Sequence, residues 1–188
     1  MNRSSGILLP ISSLPSKYGI GTFGKAAYEF ADFLQEAGQK YWQLLPLGPT
    51  SYGDSPYQSF STFAGNPYFV DLELLIEDGL LAQEEVEACD WGTDPRNVDY
   101  GKIYESRFDI LAKAKKRGWK RDYEDVMAFC DENRDWIDNY ALYMACKRHF
   151  GMRAWSEWED EDIADSLGLT KTRIQQIRRA ALAQMKNI

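Results

Sequence analysis

Cysteine and histidine are scarce in this sequence, and their scarcity excludes several kinds of site. The cysteines, Cys89, Cys130 and Cys146, are odd in number, far apart and form no C-x-x-C pair, so neither a disulfide framework nor a zinc site is indicated. We interpret them as reduced thiols. The single histidine, His149, has no nucleophile motif or ligand spacing around it, which favours an ordinary residue at a helix C-terminus. We therefore expect no metal and no cofactor.

Long hydrophobic runs are also missing. No stretch of about 18 uncharged apolar residues occurs, and the N-terminus lacks the basic segment, apolar stretch and cleavage site of a secretory signal. We therefore expect a cytoplasmic protein without a membrane partner. The net charge of −7 argues against nucleic-acid binding by the chain as a whole.

Aromatic residues, by contrast, make up 14% of the 188 residues. Residues 46–70, which we call the aromatic loop, are rich in Gly, Pro, Ser and rings without a sustained period, and this indicates a long ordered loop. Sugar sites combine rings that stack on C–H faces with short polar groups that bond hydroxyls. The loop offers both kinds of side chain: Tyr52, Tyr57, Phe60, Asp54, Ser55, Gln58 and Ser59. On composition alone, a loop that packs on the core for its own stability stays an alternative.

The first 45 residues predict a β-loop-α-β unit. Residues 6–9 and 41–45 are short apolar runs that end at prolines, as buried strands do. Between them, residues 25–37 have apolar positions at three- and four-residue steps and then Gly38, which predicts an amphipathic helix. A connection of this length makes the strands parallel.

The remainder reads as helical. Helices are predicted over residues 72–78, 83–88, 102–116 and 123–150. A (β/α)₈ barrel takes about 250 residues and eight strand–helix pairs. If the fold is such a barrel, two strands and one crossover are only its opening part.

The letters GIGTFG, residues 19–24, match the dinucleotide spacing G-x-G-x-x-G. A dinucleotide loop closes directly on its strand, and an acidic residue about 20 positions on binds the ribose. Here the strand ends well before Gly19, and the second strand ends in Gln43-Leu44-Leu45-Pro46 without an acid. We therefore expect glycines that turn the chain and allow close backbone approach.

A long resemblance covers residues 11–75, which read ISSLPSKYGIGTFGKAAYEFADFLQEAGQKYWQLLPLGPTSYGDSPYQSFSTFAGNPYFVDLELL. This stretch closely resembles the N-terminal part of the bacterial 4-α-glucanotransferases, also called amylomaltase or disproportionating enzyme. The resemblance continues through residues 98–101 and 138–145 to residue 158.

The resemblance implies a cytoplasmic α/β protein, the opening part of a (β/α)₈ TIM barrel with a mostly helical insertion, the barrel being incomplete in this chain. Residues 1–75 would form the first β-α-β unit and a glucan-binding loop, residues 76–158 the helical insertion, and residues 159–188 a divergent tail. Such enzymes transfer α-1,4-glucan segments between maltodextrins with retention. The uncovered barrel edges would favour self-association.

Retention needs a carboxylate nucleophile and a second carboxyl group about 5 Å apart. In the family these two carboxyl groups follow later barrel strands, so we expect no catalytic residue here and an inactive chain. We still expect the chain to have part of a maltodextrin-binding surface. Asp54 and Asp71 are the only plausible substitutes, and solvated or turn-capping roles suit both better. The resemblance implies donor-side glucan contacts for Ser55 and Tyr57, beside Asp54, and a secondary contact site for Tyr52 and Tyr100.

The tail differs in charge from the rest. Residues 157–165 contain six acids and no base, while residues 170–188 contain five bases and no acid. Residues 161–185 resemble the helix-turn-helix of sigma-factor region 4. That resemblance implies base-edge contacts by Thr172, Arg173, Gln175 and Gln176. It implies phosphate contacts by Lys171, Arg178 and Arg179. A DNA-binding tail, an ordinary helical hairpin, and a non-catalytic glucan-binding protein stay open as alternatives, and nucleic acid is a partner only in the first.

Overall fold

A computed structural model describes residues 3–158 except 52 and 95, together with the isolated positions 164, 168, 170–172 and 175. The chain divides into two compact units, Met1–Met127 and Ala128–Ile188.

The first unit opens with the expected β-α-β unit. Strand β1 (Gly6–Leu8) pairs in parallel with β2 (Tyr41–Gln43), with Gly6 opposite Tyr41 and Leu8 opposite Gln43. Helix α1 (Lys25–Glu36) connects them. It ends because Gly38 takes a positive φ of 69°, which lets the amides of residues 38 and 39 bond back to carbonyls of the last turn.

The strands are not buried, contrary to the expectation from their apolar letters. All three residues of β1 are exposed, and in β2 only Trp42 is half-buried. Among the described residues, the sheet has two strands, and the ring of Trp42 packs against Phe30 of α1 at 4.9 Å. Burial of a strand requires cover on both faces. Self-association through these edges stays a prediction.

Three further helices complete the main core of the first unit: α2 (Leu72–Glu77), α3 (Gln83–Glu87) and α4 (Tyr100–Gly118). Side chains from these helices and from residues 18–20 meet in one apolar cluster. The members with the least exposure are Val86, Ile103, Leu72, Ile110 and Ile20. A smaller cluster of Ile11, Leu14 and Ala27 lies between the first strand's end and α1.

The predicted single helix over residues 123–150 is wrong, since two helices form: α5 (Tyr123–Glu132), in which the boundary of the units lies, and α6 (Arg134–His149). Asn133 separates them with a non-helical backbone, φ −113° and ψ 19°. Its amide donates to the Phe129 carbonyl at 2.9 Å, and its oxygen accepts from the Trp136 indole at 3.0 Å. Asparagine favours helix ends because its side chain competes for backbone groups in this way.

In the second unit, the described part of the core is aromatic. Phe150 stacks on Trp158 with centroids 5.2 Å apart, and Tyr143, Cys146 and Ala164 lie in the same cluster. His149 ends α6, as expected, with its ring edge-on to Phe150. No helix in the described ranges is long and apolar enough to cross a membrane.

Candidate functional site

A cavity of about 120 Å³ lies at the carboxyl ends of the two parallel strands. Residues 10–12, which follow β1, and residues 45–47, which follow β2, form one side of it. Parallel strands bring the residues after their carboxyl ends to one edge, where α/β proteins place their ligands. The cavity therefore lies where this topology predicts a binding site.

The later part of the aromatic loop, from residue 54 onward, forms the other side, through Asp54, Pro56, Asn66, Tyr68 and Phe69. Its return to the sheet is fixed by a backbone hydrogen bond from the Asn66 amide to the Leu47 carbonyl at 2.8 Å. The Asn66 side chain then accepts from the Tyr68 amide at 3.0 Å and caps a short 3₁₀ turn, Pro67–Phe69. This turn directs Tyr68 to the cavity.

Asp54 is the one charged residue among the described residues that line this cavity. Its backbone is left-handed, with φ 53°, a conformation that aspartate tolerates better than most residues. Burial raises the pKa of its carboxyl above the ordinary value, and a hydrogen bond from the Thr50 hydroxyl at 3.4 Å opposes that rise. A polar, partly desolvated carboxyl group thus faces the cavity.

Two tyrosines lie close to this carboxyl group. Burial raises the pKa of Tyr68 to about 12, and the charge of Asp54 adds to the rise. The pKa of Tyr100 rises for the same two reasons, against a hydrogen bond with Ser12. Their rings lie 6.1 Å apart. Both phenols therefore keep their protons at neutral pH and can donate to a ligand hydroxyl.

The structure brings together part of the set of residues predicted from the sequence. Asp54 and Tyr100 line the cavity. Ser55 is half-buried in the same loop, and Tyr57 is 73% exposed, so its ring faces solvent. Tyr52 lies outside the described residues.

Sequence reasoning missed Asn66 and Tyr68, which line the cavity from the far end of the aromatic loop. It also missed Ser12, which hydrogen-bonds Tyr100, and Thr50, whose hydroxyl donates to Asp54. The available signal was topological, because residues that follow two parallel strands must converge.

The glycines of GIGTFG serve close packing, as expected. A Cβ on Gly21 would overlap the backbone of Ile11 and Leu14, and one on Gly24 would overlap the Asp71 carboxylate. Asp71 accepts from the Thr22 hydroxyl and, at 2.9 Å, from the Leu74 amide, so it caps α2. An acid against the N-terminus of α1 would repel a pyrophosphate there. Asp71 thus has the capping role expected of it.

Two other kinds of candidate group are metal-ligating side chains and the predicted DNA contacts of the tail. No three His, Cys, Asp or Glu side chains come together there as a metal ion would require. In the tail, the described residues Lys171, Thr172 and Gln175 are helical and follow Gly168, a turn residue with φ 62°. The other predicted DNA contacts, Arg173, Gln176, Arg178 and Arg179, lie outside the described residues.

Comparison with known proteins gives a consistent match. Residues 9–186 match the sequence profile of the Glyco_hydro_77 family, described as 4-alpha-glucanotransferase, so the match extends into the tail as far as residue 186. The 4-alpha-glucanotransferase of Streptococcus pneumoniae is 53% identical over 161 residues, which cover 85% of this chain and 32% of that protein. The Thermus thermophilus enzyme is 45% identical over 160 residues, 83% of this chain and 31% of its own.

Among solved structures, the amylomaltase from Streptococcus agalactiae in complex with acarbose matches with a TM-score of 0.81 and 44% identity. The match covers 87% of this chain and 35% of that one. The chain thus spans about a third of the length of the curated relatives it matches. Its described part, mostly helical with two parallel strands, resembles part of an amylomaltase.

Proposed function

Because the chain belongs to the 4-alpha-glucanotransferase family, we propose that it supplies part of the glucan-binding surface of such an enzyme. The observation that carries the proposal is the cavity at the carboxyl ends of β1 and β2, since barrel enzymes bind their substrates at that face. The unit β1-α1-β2 is the opening of a (β/α)₈ barrel in this proposal. The amylomaltase from Streptococcus agalactiae, a relative, was solved with acarbose.

In this proposal, each contact residue predicted from the sequence has a role in glucan binding. Asp54 and Tyr100 bond sugar hydroxyls inside the cavity, where small polar groups lie between apolar walls. Tyr57 stacks its exposed ring on the C–H face of a glucose unit, and Ser55 hydrogen-bonds beside it. Tyr52 contributes a further ring.

The same proposal assigns no catalytic residue to this chain. Retaining transfer needs two carboxyl groups about 5 Å apart. Asp54 is the only acid among the described cavity residues, and the Asp71 carboxylate is occupied by Thr22 and by the α2 cap. We therefore propose that the chain does not transfer glucan by itself. In this proposal residues 1–75 form the barrel opening and the binding loop, residues 76–158 the helical insertion, and residues 159–188 the tail. We propose that the chain binds its α-1,4-glucan ligand in the cytoplasm.

The test is acarbose affinity, measured by isothermal titration calorimetry for the unmodified chain and for Tyr57→Ala. Loss of one stacking ring costs about 1 kcal/mol, or about fivefold in affinity. Tyr28→Ala is the matched control, because Tyr28 is 69% exposed on α1, away from the aromatic loop in sequence. Unchanged affinity of Tyr57→Ala would remove that residue from the site, and no binding by the unmodified chain would refute the proposal.

A further inference from the structure

Arg107 is a charged residue at a core position. It lies on α4 with Ile103, Ile110 and Ala114 at helical spacing, and all four side chains are buried. The exposed fraction of Arg107 is 0%. A guanidinium group at such a position loses its hydration and must be compensated by partners.

The compensation is incomplete. Burial lowers the pKa of Arg107 to about 10, and the negative charge of Asp71 opposes that fall, so the guanidinium stays cationic at neutral pH. Within the described residues, its Nε and Nη1 have no hydrogen-bond partner. An incompletely paired buried cation costs free energy of desolvation that a well-packed apolar side chain of similar size does not. Stability alone therefore does not account for an arginine here.

The bond that Arg107 does make points to the aromatic loop. Its Nη2 donates to the carbonyl oxygen of Val70, the last residue of that loop. The preceding carbonyl, that of Phe69, accepts at 3.0 Å from the amide of Phe23, which lies within GIGTFG. The Tyr68 ring packs at 5.8 Å against Phe108, the neighbour of Arg107. Helix α4 and the GIGTFG segment thus hold the end of the loop between them.

We propose that Arg107 is a positioning residue for the aromatic loop: it fixes the loop's carboxyl end through the Val70 carbonyl and so sets Tyr68 against the cavity, without touching the glucan. The claim about the loop stands on contacts alone, and the claim about glucan affinity rests on the proposed function. Two readouts separate them.

The first readout needs no ligand. Amide hydrogen exchange is followed by NMR in the unmodified chain, in Arg107→Met, in Arg107→Lys, and in the control Lys113→Met, which changes an exposed lysine on the same helix. In Arg107→Met we expect the amides of Phe69 and Val70 to exchange at least about tenfold faster, with α1 amides unchanged. Arg107→Lys keeps a cation and should fall between. Unchanged exchange at residues 69 and 70, or equal acceleration across the first unit, would overturn the proposal.

The second readout is acarbose affinity. If the loop holds its competent position about a tenth of the time in Arg107→Met, the affinity falls about tenfold. We expect this loss at a temperature where circular dichroism shows Arg107→Met and Lys113→Met equally folded. Wild-type affinity in Arg107→Met, with a loosened loop, would overturn the link to binding. If the unmodified chain does not bind acarbose, the proposed function fails while hydrogen exchange still decides the role of Arg107. If Arg107→Met does not fold, Arg107→Lys decides both readouts.

Discussion

The substitution Gly24→Ala, which adds a single methyl group, tests most directly whether the glycines of GIGTFG serve close packing. Its backbone φ of −98° suits any residue, so Gly24→Ala introduces no torsional strain. The new Cβ would overlap the Asp71 carboxylate, which caps α2 and accepts from Thr22. Loss of the cap costs about 1 kcal/mol and overpacking about 1–3 kcal/mol, while the stiffer unfolded chain returns about 0.4–1 kcal/mol. The net destabilisation should be about 1–3.5 kcal/mol.

Urea unfolding followed by circular dichroism measures this difference. Gly65→Ala is the control, since no heavy atom lies within 4 Å of its added Cβ and the change should stay within about 0.5 kcal/mol. In an Asp71→Ala background the overlap is gone, so the cost of Gly24→Ala should fall by about half or more. An effect of Gly24→Ala as small as that of Gly65→Ala, or one that is the same in both backgrounds, would refute the reasoning.

Two further predictions follow from charge. Hydrogen bonds from the Arg117 guanidinium and then from the Ala82 amide hold the pKa of Glu85 at about 2. Because the folded pKa lies below the ordinary 4.5, this contribution to stability is complete above about pH 4.5 and is lost as pH falls towards 2. Glu85→Gln should therefore lower the thermal midpoint at pH 7 but not near pH 2, whereas an equal loss at both pH values would contradict the assignment. For the tail, the helix-turn-helix hypothesis predicts a DNA gel shift that weakens steeply with salt, and no shift even at low salt would remove that hypothesis.

The parts of the fold that depend on local signals were predictable. The spacing of apolar residues in α1, the stop at Gly38 and the proline after the second strand predict the β-α-β unit. The exposure of β1 was not predictable, because burial depends on which elements pack against a strand. The apolar residues of β1 show only that the strand is compatible with burial. The break at Asn133 depends on one side chain that turns back to the Phe129 carbonyl.

The candidate site was predictable in composition but not in shape. Asp54 and Tyr100 are 46 positions apart in the sequence and line one cavity through contacts that no local period encodes. Tyr68 was missed because its direction depends on the cap that Asn66 provides. For Arg107 a signal existed, since it falls on the same helical face as Ile103 and Ile110. A charge on an apolar stripe indicates a constrained position.

Our central proposal is that this chain supplies glucan-binding groups but not the pair of carboxyl groups that transfers glucan. The most direct measurement is a disproportionation assay on maltotriose with the purified chain, beside the full-length Streptococcus pneumoniae relative, of which the matched region covers 32%. We predict no glucose release above the enzyme-free background. Turnover comparable to that of the full-length enzyme would contradict the account, because it would show that the essential carboxyl groups are present.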